Sequence, residues 1–141
     1  MMLIMAVSFL LDSWQRALPL PTLPVTGRDQ SDCPARMRVL ESKAQWIEFW
    51  KPCGLHPDPP AELGGAKLVA VCLGPRAGGG SVIEVRAEAP KRGPVVIYVR
   101  ESPPGGGPLT VTTSPCELFR IPERLASADW RKPSFVIVPQ K

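Results

Sequence analysis

Histidine occurs once, at His56, so any chemistry that needs an imidazole must pass through that position. Cys53-Gly54-Leu55-His56 sets two zinc-ligand types at a usable spacing. A structural zinc site takes four ligands, however, and Cys33, Cys72 and Cys116 are all far away in the chain. A Ser-His-Asp arrangement can be written on paper, but no nucleophile elbow is present to raise a serine out of a sheet. With Pro57 directly after it, His56 reads as a surface loop residue. Gly78-Gly79-Gly80 has the composition of a phosphate cradle. Such cradles open a helix, whose first amides face the anion, whereas these glycines run through Ser81 into Val82-Ile83-Glu84-Val85, a strand pattern. A hairpin turn accounts for them better. Glu84 and Glu88 fall on one strand face, as an acid/base pair would, yet nothing apolar around them would raise a carboxyl pKa, and they read as a solvated face. No residue is assigned to catalysis, to a cofactor or to a metal, and a non-enzymatic protein is expected.

The elements that position these residues follow from composition. The 141 residues suit one domain with a core of its own. Proline, at 18 residues, removes donors and fixes φ, and with 12 glycines it disfavours long helices. The net charge of +4 is spread out, with only Lys91-Arg92 and Arg131-Lys132 adjacent, so no concentrated basic face for nucleic acid is expected. Met1 to Leu11 is apolar like the core of a signal peptide, but has no basic start and no clean cleavage site. It is too short to span a membrane. A degenerate export signal, a mis-assigned start and a short docking helix all fit. Export is favoured over the cytoplasm. Cys33 and Cys53 lie in proline-containing loops and could pair in an oxidising compartment, whereas Cys72, inside an apolar run, reads as a small core residue.

Residues 1–34 form an N-terminal segment whose proline-punctuated run, over 19–26, suits an edge strand or polyproline stretch. Residues 35–141 form the domain proper. Met37 and Val39 alternate with arginines, which predicts a short strand. Ser42-Lys43-Ala44-Gln45 fits a capping box and starts a two-turn helix carrying Trp46, Phe49 and Trp50 at helical spacing. The indoles are expected to pack in the core rather than to stack on a ligand. Pro52 is expected to end the helix. From Lys67 the spacing predicts a β meander with strands over 67–73, 81–88, 94–101, 115–121 and 134–138, one face on a core and the other in solvent. The fold class is therefore α+β, mainly β: an antiparallel meander, open barrel or sandwich of five to seven short strands with one short helix packed on it.

Several short motifs, in order, resemble the C-terminal domain of PrcB-type protease-complex proteins over residues 39–122. Val39-Leu40-Glu41-Ser42 leading to Trp46 and Trp50 is similar to that family's opening strand, cap and helix. Leu68 to Gly74 resembles a hydrophobic strand ending in glycine, and Arg76 to Val85 a central glycine hairpin. Gly79 and Gly80 match that hairpin, while Gly78 stands where threonine is usual and Ser81 where tyrosine is usual. Val99-Arg100-Glu101 with Pro103-Pro104-Gly105 resembles a strand closing on a Pro-Gly loop. Ser114-Pro115-Cys116 resembles a closing strand in which Cys116 replaces tyrosine. The resemblance implies a non-catalytic accessory protein that helps an exported protease assemble or stay stable. It also implies that Gly78, Gly79, Gly80, Ser81, Glu101, Pro103, Pro104 and Pro115 lie on partner-binding loops, provided that loops 74–81 and 101–115 converge. A chagasin-like peptidase inhibitor is the alternative, which Ser81 and the missing Arg-Pro-Trp loop disfavour. A small hydrolase built on His56 is a further one. Neither the partner nor the oligomeric state is written in the sequence.

Overall fold

The computed structural model describes residues 10–23, 33–54, 57–77, 82–102 and 112–139. The fold is α+β and mainly β: two four-stranded sheets face each other, each covered on its outer side by a short helix. Of the expected architectures this is the sandwich, without a closed barrel. Residues 10–16 form α1, followed by β1 (Leu18–Pro19), β2 (Thr22–Leu23), β3 (Arg36–Leu40), α2 (Lys43–Trp50) and β4 (Leu68–Cys72). Then come β5 (Arg76–Ala77), β6 (Val82–Glu88), β7 (Val96–Ser102), β8 (Thr112–Thr113), β9 (Cys116–Arg120) and β10 (Ser134–Ile137). One sheet runs β1-β6-β7-β10, with β10 parallel to β7, and the other runs β2-β9-β4-β3, antiparallel throughout.

The chain is thus not a continuous meander after Lys67. It leaves β4 for the opposite sheet, makes the β6–β7 hairpin, returns as β9 beside β4, and crosses once more as β10. The reason is visible in β4, whose five residues Leu68, Val69, Ala70, Val71 and Cys72 are all buried. A strand with no polar face needs cover on both sides. Val69 and Val71 point into the space between the sheets with Val39, Phe119, Ile83, Val85, Ile97 and Val99. Leu68, Ala70 and Cys72 face α2, packing with Leu40, Leu118, Trp46, Phe49 and Trp50. The indoles are therefore core residues, and Trp46 Nε1 donates to the Pro57 carbonyl at 2.7 Å.

Helix α2 starts as its cap predicts. Ser42 Oγ accepts from Gln45 N at 3.2 Å, and Gln45 Oε1 accepts from Glu41 N at 2.6 Å. Its end differs from expectation. Lys51 keeps helical backbone angles although Pro52 follows, and the chain makes a 3₁₀ turn over Lys51–Cys53 before Gly54, at φ 68°, stops it. Proline is tolerated there because a first-turn position has no amide to lose; the left-handed glycine is the real terminator.

The N-terminal segment contributes more than an edge. The single expected helix becomes two, because α1 lies on the outer face of β7, where Trp14 and Ala17 bury Tyr98 and Val138. That face of β7 is therefore covered rather than solvated. Arg86 stacks 4.5 Å from the Trp14 ring and donates to the Trp14 carbonyl at 3.0 Å. Residues 18–23 then pass from one sheet to the other: Pro19 pairs with Arg86, Leu20 N donates to Val85 O at 2.9 Å, and Thr22 pairs with Phe119. Prolines 19 and 21 sit where a long ladder would need donors they lack, so each sheet receives only two residues.

Candidate functional site

The strands end together at one pole of the sandwich. Cys72 faces Cys116 where β4 meets β9, and Val82 faces Ser102 where β6 meets β7. Both loops singled out in the sequence leave from this pole. Their described parts meet: Arg76 pairs with Thr113 and Ala77 with Thr112, antiparallel, making the two-stranded ribbon β5–β8. Arg76 Nε also donates to both carboxylate oxygens of Glu101, at 3.1 and 2.9 Å, and its Nη1 to the Pro75 carbonyl at 3.0 Å. One arginine therefore ties the 74–81 loop to the end of β7 as well as to β8.

The base of this tip is rigid. Gly74 is buried at φ 85°, and a Cβ there would lie 3.3 Å from both Ala35 Cβ and Ala35 N, so the turn out of β4 accepts glycine alone without strain. A disulfide joins Cys72 to Cys116 across β4 and β9. A second joins Cys33, before β3, to Cys53 in the turn after α2. Cys72 is thus a core residue, as its apolar run predicts, and is bridged as well.

The sequence-selected residues divide unequally. Glu101 lies at the tip, half-buried and ion-paired. Pro115 is buried, and its carbonyl accepts from Leu73 N at 3.0 Å, so it holds the base of the tip and offers no contact surface. Gly78, Gly79, Gly80, Ser81, Pro103 and Pro104 lie outside the described residues, as does His56. Glu84 and Glu88 do project outward from β6, where Glu84 meets Arg86 at 3.4 Å and Glu88 accepts from Tyr98 Oη at 3.3 Å. Two tip residues escaped sequence reasoning. Arg76 had no signal of its own, since its partner lies 25 residues on. Val82 begins a strand whose alternation was plain, and the same alternation places it outward; it is 60% exposed.

Clefts elsewhere are small. One of about 300 Å³ lies where β3 and β10 leave the sandwich open, lined by Met37, Val39, Phe135 and Trp130 among others. Trp130 is buried between the sheets, with its Nε1 donating to the Leu125 carbonyl at 2.7 Å. No helix of the described residues is long and apolar enough to cross a membrane. Searches against family models, curated proteins and solved structures return no match.

Proposed function

We propose that this protein is a non-catalytic accessory domain that grips a protein partner, an exported protease by the resemblance of its motifs, through the tip formed by loops 74–81 and 101–115. The observation that supports this reading is the β5–β8 ribbon with its Arg76–Glu101 ion pair, which draws two loops distant in sequence into one unit. A ribbon held in place before docking loses little entropy on docking, so a small contact area suffices. Val82 supplies an exposed apolar residue beside that unit, of the kind that anchors an interface when a partner covers it.

The test compares the wild-type chain with Val82→Asp as baits on envelope and periplasmic fractions, the bound proteins being identified by mass spectrometry. A protease-containing complex should be retained by the wild type and reduced about tenfold or more by the aspartate, as for loss of a central contact. Thermal unfolding should be unchanged, since Val82 contributes little to the core. Recovery of only ribosomal proteins and cytosolic enzymes would count against the reading. Equal recovery by both baits would remove the tip from it. A panel of cysteine and serine peptidases, assayed with and without the protein, distinguishes an assembly factor from an inhibitor.

A further inference from the structure

We infer that the four cysteines, when reduced, form a tetrathiolate zinc site, so that the chain can be stapled either by two disulfides or by one metal ion. The Sγ atoms of Cys33, Cys72 and Cys116 all lie within 4.8 Å of one another, and Cys53 Sγ is bonded to that of Cys33. With zinc–sulfur bonds of about 2.3 Å, the corners of a tetrahedral site are about 3.8 Å apart, so Cys33, Cys72 and Cys116 need only small movements to surround an ion, and Cys53, which lies outside that close group, must swing in as the fourth ligand once its bond to Cys33 is reduced. They come from four separate places: the strand-leading loop, the turn after α2, and the facing ends of β4 and β9. No side chain of the four is more than 7% exposed. A closed, dry set of four sulfurs is a structural site, and soft thiolates select zinc over magnesium or calcium.

A second observation comes from the surroundings. Among the described residues three buried side-chain donors have no partner: Arg86 Nε, the Trp50 indole N–H and the Ser114 hydroxyl. Trp50 belongs to the same buried cluster as all four cysteines, and Ser114 precedes Cys116 by two residues. Neither Trp50 nor Ser114 makes a side-chain hydrogen bond to a cysteine sulfur in the disulfide-bonded chain. A zinc tetrathiolate spreads two negative charges over its sulfurs, and N–H and O–H donors around such a site orient and stabilise the ligands. The two forms interconvert with a named co-reactant. Two molecules of a disulfide oxidant such as oxidised glutathione take four electrons from the loaded site. Two protein S–S bonds form, two oxidant S–S bonds break to give four thiolates, and the zinc ion leaves. Binding of zinc to the reduced thiols releases their protons.

The experiment uses the full chain, reduced in denaturant with a phosphine and refolded without oxygen in one equivalent of Co²⁺ or Zn²⁺. One Co²⁺ per chain is expected, with the visible bands of a tetrahedral ion and thiolate charge-transfer absorption in the near ultraviolet. Far-ultraviolet circular dichroism should match the oxidised protein. Oxidised glutathione should discharge the ion and leave a chain four hydrogens lighter than the reduced, metal-free one. Cys72→Ser and Cys116→Ser should each weaken binding by about tenfold or more, against the same metal and at matched folding. The Cys33→Ala/Cys53→Ala chain, reduced in the same way and left with two thiols, should bind cobalt far more weakly than the four-cysteine chain. Substoichiometric binding, a spectrum lacking thiolate bands, a loaded chain that stays unfolded, or equal binding by the oxidised chain would each overturn the site.

Discussion

Tyr98 is the one tyrosine of the chain, so its titration can be read directly from phenolate absorbance. Burial beneath α1 is the main cause that holds its pKa above the ordinary value near 10. The Ser13 hydrogen bond opposes the rise, and the Glu88 carboxylate adds to it. The folded chain therefore holds the phenolic proton more tightly than the unfolded chain. Stability from this group is complete below pH 10 and is lost as pH climbs through the folded pKa. Urea midpoints measured from pH 8 to pH 11 should fall more steeply for the wild type than for Tyr98→Phe; equal slopes would mean that Tyr98 is not shielded. At Gly74 the constraint is backbone geometry. Gly74→Ala should cost about 1–2 kcal/mol for the left-handed residue alone, and more for the contact with Ala35. Equilibrium unfolding reads it. The glycine was legible as the end of an apolar run. Its positive φ and its closeness to Ala35 were not, because both depend on where a distant loop passes.

At the scale of elements, local signals carried far and pairing signals did not. The alternation of Ile83, Val85 and Ala87 with Glu84, Arg86 and Glu88 marked β6 within a residue, and the Ser42 box marked the start of α2. Both arise from contacts inside one element. The sheet order could not be read this way, since nothing in the spacing of Leu68–Cys72 says that its neighbours are β3 and β9 rather than β6. The candidate site suffered likewise: its loops were recognised from glycine and proline, but Arg76 and Glu101 meet only through tertiary structure. Segment α1 was the largest omission. Its seven residues mix Leu11 and Trp14 with Asp12, Ser13, Gln15 and Arg16, too short and too mixed a pattern to stand out, and only the apolar outer face of β7, with Val96 and Tyr98, shows what it covers. Trp14→Ala should therefore destabilise the domain by about 3 kcal/mol or more, the usual cost of deleting a buried indole. A change below 1 kcal/mol in urea titration would show α1 to be a detachable appendage.

For the whole molecule, the question is what holds four layers together in so short a chain. The two disulfides act at different places: Cys33–Cys53 fastens the α2 layer to the start of β3, and Cys72–Cys116 clamps two strands already in register. Closing loops with separations of 20 and 44 residues stabilises by about 3 and about 4 kcal/mol in the chain-entropy account. Those two loops do not overlap in sequence, so their constraints on the unfolded chain simply add. Their sulfurs nevertheless share one buried cluster in the folded chain. Any departure from additivity must therefore come from native packing. Replacing each pair by alanines, singly and together, and measuring unfolding free energies in urea makes a double-mutant cycle. The coupling should reach about 0.5–1 kcal/mol, because residues in direct contact interact on that scale. The sum should exceed the combined loss, since the second replacement acts on a cluster the first has already loosened. Additivity to within about 0.3 kcal/mol would mean that the sulfurs are near neighbours without being packed as a unit.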